Sequence, residues 1–199
     1  RQVSSAASDV YKRQALYEAV PGGSPYNLAM AAGRQGVQVG YVTPISEDSN
    51  GDQLAANLLS SNVRLLGPRV SAPTSLAMVN IEGGTPSYAF YREGTAERLV
   101  TLDKLIQNLT GEVAIFHIGS LALTGGSDAS VWEEFVGKAM DKGVKVSLDP
   151  NVRPSLIAEP EVYRQRIKRL MTKVDILKLS DEDLLLSLIH ISEPTRPSV

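Results

Sequence analysis

Val144-Lys145-Val146-Ser147-Leu148-Asp149-Pro150-Asn151-Val152-Arg153 decides the fold. Its first five residues are a short β-rich run, and the run stops at an Asp-Pro pair, where proline removes a ladder donor and restricts the residue before it. Immediately upstream, residues 129–142 carry apolar positions at helical spacing and close on Gly143, a residue suited to a helix C-terminus. Before that helix, residues 113–118 form a continuous apolar run ending in Gly119-Ser120. Strand, helix and strand in this order imply a right-handed crossover and a parallel pair. Strands this apolar are the kind covered on both faces.

The same rhythm continues outward. Downstream, residues 160–172 read as a basic amphipathic helix, 174–177 as a strand, and Ser180 as the N-cap of a helix beginning at Asp181. Upstream, residues 102–109 read as a short helix. Further back, Gly22-Gly23 and Pro25 open an Ala-rich helix over 27–34, followed by a strand over 37–43 and a helix over 52–59. Residues 75–81 and 87–91 flank Glu82-Gly83-Gly84-Thr85-Pro86 and read as an antiparallel hairpin. The expected fold class is therefore α/β: a doubly wound, mostly parallel sheet flanked by helices, with a small β-hairpin lid at about residues 75–91.

Composition narrows the function. The 199 residues carry a formal net charge of -2, which offers nothing to nucleic acid or an anionic membrane surface. With 0 Cys there is no disulfide, thiolate metal site or cysteine nucleophile, and a reducing cytoplasm fits. No run approaches the ~18 apolar residues that would span a bilayer. Both ends break the pattern. Residues 4–14, SSAASDVYKRQ, and 186–196, LSLIHISEPTR, resemble translations of the transposase tags ligated to DNA fragments before sequencing. The expectation is that 1–14 and 186–199 are non-native tails and that 15–185 is a partial domain, incomplete at both ends. His190 then drops out as a candidate, leaving His117, which reads as a satisfied core histidine inside its strand.

In open α/β sheets ligands lie beyond the carboxyl ends of the strands. Three such ends are visible: Gly119-Ser120, the segment from Asp149 to Arg153, and Lys178-Leu179-Ser180. Asp149, Asn151 and Arg153 would place a carboxylate, an amide and a guanidinium on one rim, a set suited to a phosphate with its Mg²⁺. Equally, Asp149 and Arg153 could simply pair to hold the turn. Gly22-Gly23 with Asn27 would let the backbone approach a polar ligand, or form an ordinary turn before a helix. Arg92, at the end of the hairpin, reads either as a reach toward a ligand or as a solvated edge-strand charge. Trp132 and Phe135, three apart on a helix, read as core.

Taken together, GGSPYNLAMAAGRQG, ISEDSNGDQLAANL, SYAFYREGTAERL, VSLDPNVRPSL and VDILKLSDEDL resemble, in order, successive blocks of the PfkB (ribokinase-like) carbohydrate kinases, with FYREGTAER and SDED most like bacterial fructokinases. The resemblance implies a ribokinase-like fold and transfer of the ATP γ-phosphoryl group to a sugar hydroxyl, with Mg²⁺. It implies sugar binding by Gly22, Gly23, Asn27 and Arg92. It puts Asp149, Asn151, Arg153 and Lys178 on the phosphate side. The family's N-x-x-E motif falls on Ser180 and Asp183, so Asp183 is the expected, indirect metal residue, with both motif residues substituted. No catalytic base is expected in this chain, because the family's G-A-G-D block would lie downstream; Gly125-Gly126-Ser127-Asp128 is not that block. The expected partners are a small sugar and ATP, with two-subunit assembly through the hairpin common in the family. A nucleoside or 2-keto-3-deoxygluconate kinase and a non-catalytic sugar-binding module remain alternatives. A NAD-binding dehydrogenase is the runner-up from another enzyme class, but it needs a G-x-G-x-x-G run after the first strand, and none is present.

Overall fold

The computed structural model describes residues 17–82 and 85–188. In chain order its elements are α1 (Ser24–Arg34), β1 (Val39–Tyr41), β2 (Ile45–Ser46), α2 (Ser49–Ser60), β3 (Val63–Leu65), β4 (Arg69–Val70), β5 (Leu76–Glu82), β6 (Thr85–Tyr91), α3 (Leu102–Gln107), β7 (Ile115–Gly119), α4 (Ser127–Asp141), β8 (Lys145–Asp149), α5 (Pro160–Met171), β9 (Ile176–Leu177) and α6 (Asp181–Leu188). Short 3₁₀ turns follow β6, β7 and β8.

β7, β8 and β9 form a parallel ladder, as do β1 with β3 and β2 with β4; β5 and β6 pair antiparallel. The α/β architecture with one hairpin is thus as expected, although the parallel strands stand in separate ladders. β2, β3 and β4, of two, three and two residues, were not expected. The turn residues Gly83 and Gly84 lie outside the described residues, as do both end tails apart from 186–188, which continue α6.

Two strand starts differ from expectation for one reason. At the end of α1, Gly36 adopts φ +84 and the Val37 N–H donates back to the Ala32 carbonyl at 3.1 Å. That amide is consumed in terminating the helix, so β1 begins at Val39. Gly143, at φ +77, repeats the arrangement after α4: the Val144 N–H donates to the Ala139 carbonyl at 3.0 Å, and β8 begins at Lys145.

The larger core lies where α4 and α5 cover one face of β7 and β8, with Ile118, Trp132, Phe135, Val146, Leu148, Ile167 and Leu170 all buried. Phe116 meets the Phe135 ring edge-on at 4.8 Å and stacks on Trp132 at 6.2 Å. Each such side chain contributes about 1.5–3 kcal/mol by leaving water. A smaller cluster joins Tyr26, Ala29, Ile45, Leu58 and Val63. α1 packs against β1, β3 and β7, and Val42 reaches the larger core, so both clusters belong to one body. Among the described residues no helix is long and apolar enough to cross a membrane.

Candidate functional site

The carboxyl ends of β7, β8 and β9 make a rim. Gly119 stands beside Asp149 in register, and a Cβ at 119 would collide with the Asp149 carbonyl, so only glycine permits this approach. One residue on, the Ser120 N–H donates to the Pro150 carbonyl at 3.0 Å. Asp149 is 8% exposed; its Oδ2 accepts from Lys178 Nζ at 2.8 Å, while its buried Oδ1 has no hydrogen-bond partner. Asn151 sits at φ +40, unusual for a residue other than glycine. Arg153 does not pair with Asp149: its Nη1 donates to the Val152 carbonyl at 2.8 Å, so the Asp–Arg turn lock is not formed.

Asp183 closes the rim from α6. Its Oδ1 accepts the Val152 N–H at 2.6 Å, and its Oδ2 accepts the Ser180 N–H at 2.9 Å and the Ser180 hydroxyl at 2.7 Å. The Asp183 N–H donates in return to Ser180 Oγ at 3.1 Å, which makes Ser180 the expected N-cap in a reciprocal capping box. Burial pushes the Asp183 carboxyl up, but the Val152 and Ser180 donors outweigh it and hold the group below its ordinary value.

His117 lies in β7 on the same face as Asp149. Its Nδ1 is 3.1 Å from Ser147 Oγ, but Nε2 is buried without a partner, so the core histidine is only half satisfied. Burial lowers its pKa, and the Lys178 charge adds to that against the pull of Asp149. The ring is therefore neutral at pH 7.

A cavity of about 840 Å³ opens at the root of the hairpin, its wall including Thr74, Leu76, Arg92, Thr124, Leu156 and Tyr163. Arg92 is neither solvated nor extended. It is 8% exposed, with Nε donating to Glu97 at 2.6 Å, Nη1 to the Thr124 hydroxyl at 3.0 Å and Nη2 to the Leu121 carbonyl at 3.1 Å. Five guanidinium N–H groups and three such bonds leave donors that can face the cavity. Residues 153–156 lead from the rim to the cavity wall. Gly22, Gly23 and Asn27 stand apart from that wall, at the start of α1, where Gly23 takes φ +123 and its carbonyl accepts the Asn27 N–H at 2.8 Å.

Sequence reasoning missed three features. Tyr163 is 3% exposed on the cavity wall, and its hydroxyl has no partner. Asp128, in the Gly125-Gly126 string, is a buried acceptor for Arg98 at 2.8 Å. Asp48 caps α2 and also accepts the N–H and hydroxyl of Thr74, at 2.8 and 2.7 Å, tying α2 to the hairpin root.

The implied Mg²⁺ can be tested against these donors. Among the described residues no group of three or more His, Asp or Glu side chains converges to hold a metal. Mg²⁺ in kinases takes one or two carboxylates together with substrate phosphates. Asp149 Oδ1, a hard oxygen without a partner, fits that role; Asp183, 2% exposed with both oxygens engaged, does not fit as a direct ligand.

Residues 2–190 match the pfkB family carbohydrate kinases. A fructokinase from Rhizobium leguminosarum bv. trifolii is 36% identical over 167 residues, covering 82% of this chain and 50% of its own length. A crystal structure of fructokinase from Xylella fastidiosa superposes with a TM-score of 0.80 at 30% identity, over 90% of this chain and 61% of that one. A second Xylella fastidiosa structure, described as fructokinase with bound ATP, superposes with a TM-score of 0.77 at 31% identity, over 87% and 58%. The chain spans about half the length of the curated relatives it matches. It belongs to the pfkB family of carbohydrate kinases, with the ribokinase-like fold that its ordered motifs announced.

Proposed function

We propose that this chain forms the acceptor-side part of an ATP-dependent sugar kinase that phosphorylates a sugar hydroxyl, with fructose as the sugar. The observation that carries the reading is the meeting of Asp149 and Lys178 at adjacent parallel strand ends, joined by residues 153–156 to a cavity walled by Arg92. The fructokinase relatives support the choice of fructose.

In this reading the spare donors of Arg92 hold sugar hydroxyls in the cavity, while Asn27 and the open backbone of Gly22-Gly23, outside the cavity wall, meet the sugar only from the start of α1. Asn151, Arg153 and Lys178 supply donors and positive charge to phosphate oxygens, the fixed electrostatics on which phosphoryl transfer depends. Mg²⁺, when bound with the nucleotide, neutralises phosphate charge. The G-A-G-D block that carries the general base in the family does not occur in this sequence, and the chain alone is expected to be inactive. The hairpin exposes Leu76, Val79, Tyr88 and Tyr91, which supports pairing of two subunits through it in the longer protein.

Titration calorimetry of the chain with fructose, ribose and adenosine tests the reading. Fructose binding in preference to the other two is the expected result. Preference for adenosine would replace it with a nucleoside kinase, and ATP-dependent turnover of fructose by this chain would disprove its inactivity.

A further inference from the structure

We infer that Asp183 is a positioning residue: through the Val152 N–H it fixes the rim segment that carries Asn151 and Arg153, and it does so by hydrogen bonding instead of by organising a metal. Val152 and Asp183 are 31 positions apart, yet the bond between them is 2.6 Å long and buried. A buried carboxylate accepting a backbone N–H is a charge-assisted bond, stronger than a neutral one. It falls on the amide that directly follows Asn151, whose φ of +40 is unfavourable for a side-chain-bearing residue and persists only where the surroundings hold it.

The rest of the geometry is consistent with a clamp. Ser180 engages the other carboxylate oxygen twice, which sets the rotamer of Asp183 and leaves Oδ1 aimed at the loop. On the opposite side the Ser120 N–H holds the Pro150 carbonyl at 3.0 Å, so the loop is pinned on both flanks of Asn151. The Val152 side chain is itself buried in the larger core. A serine and an aspartate in an S-x-x-D capping box therefore do more than start α6. The acid of the box reaches outside its own helix and sets a second loop. Its consequence for ligand binding rests on the phosphate-side reading of Asn151 and Arg153; the clamp itself does not.

The test is residue-resolved amide hydrogen exchange on the 199-residue chain and on Asp183→Asn, with ATP titrations run both in Mg²⁺ and in chelator. In the wild-type chain the Val152 amide should be protected as strongly as the β8 amides, although it lies in a loop. In Asp183→Asn its exchange should rise about tenfold or more relative to those amides. ATP affinity should fall by a similar factor with and without Mg²⁺. A wild-type Val152 amide exchanging as fast as exposed loop amides would overturn the inference, as would an affinity loss confined to the Mg²⁺ titration. If Asp183→Asn does not fold, the wild-type protection decides. If the wild-type chain binds no ATP, the clamp is judged on Val152 exchange alone, and the sugar titrations judge the kinase reading.

Discussion

Lys178 Nζ stands 2.8 Å from Asp149 Oδ2, across the ends of neighbouring parallel strands. The hydrogen bond to Asp149 raises the lysine pKa, so the ammonium is charged at every pH where the protein is handled. Its side chain is 68% exposed but that of Asp149 is only 12%, so removing the lysine leaves a buried carboxylate without its cation. Lys178→Met should therefore lower the thermal midpoint by several degrees, corresponding to about 1–3 kcal/mol for a buried group left unpaired. It should also weaken binding of a phosphate-bearing ligand severalfold. Differential scanning fluorimetry and calorimetry with ATP separate the two effects.

At Arg92 it is the cation that is buried. Its guanidinium is buried, and removing it strands Glu97 and Thr124 at the hairpin root. Arg92→Met should destabilise the chain by about 3 kcal/mol, the scale of breaking a buried pair. Arg92→Lys keeps the charge without the fork and should fall between the two. Urea denaturation gives the stabilities, and fructose titration should show binding lost in both variants.

The two glycines at the start of α1 make different demands. Gly23 has φ +123 and ψ 135, a conformation that side chains disfavour, whereas Gly22 is exposed with open space where a Cβ would go. Gly23→Ala should cost about 1–3 kcal/mol. Gly22→Ala should stay within about 0.5 kcal/mol. A fructose affinity that falls in Gly22→Ala at unchanged stability would mark that residue as one the ligand approaches.

Asp48 should make stability pH-dependent. Burial alone would raise its pKa, but the hydroxyl and N–H of Thr74, the Gly51 N–H and the Ser46 hydroxyl hold it well below the ordinary value. A carboxyl depressed in the folded state contributes stability above its unfolded pKa of about 3.9. That contribution is lost as pH falls through the folded value. Thermal midpoints should decline below about pH 5, and Asp48→Asn should begin lower and decline less steeply. Parallel curves for the two proteins would show that Asp48 is not the source.

Local signals carried most of the fold. The apolar runs around residues 113–118 and 144–148, the cap at Gly143, the N-cap at Ser180 and the Trp132–Phe135 core face each depend on neighbours a few positions away, and each is present. β2, β3 and β4 are too short to display a period. The candidate site was legible as residues more than as contacts. Asp149 was open to pairing with Arg153 and instead meets Lys178, because the Arg153 guanidinium folds onto its own loop carbonyls. Arg92 with Thr124, Asp48 with Thr74 and Val152 with Asp183 are separated by 32, 26 and 31 positions, and no periodicity encodes such meetings.

Among the described residues two side-chain clamps hold the feet of the hairpin: Thr74, held by Asp48 just before β5, and Arg92, held by Glu97, Thr124 and Leu121 just after β6. With both feet clamped it cannot swing like a door on a single pivot. Any displacement of the hairpin as a whole would then have to be taken up as bending and twist along β5 and β6, above a base held at both feet. Loosening either foot would then alter how the hairpin sits on the body without changing a residue in either of its strands.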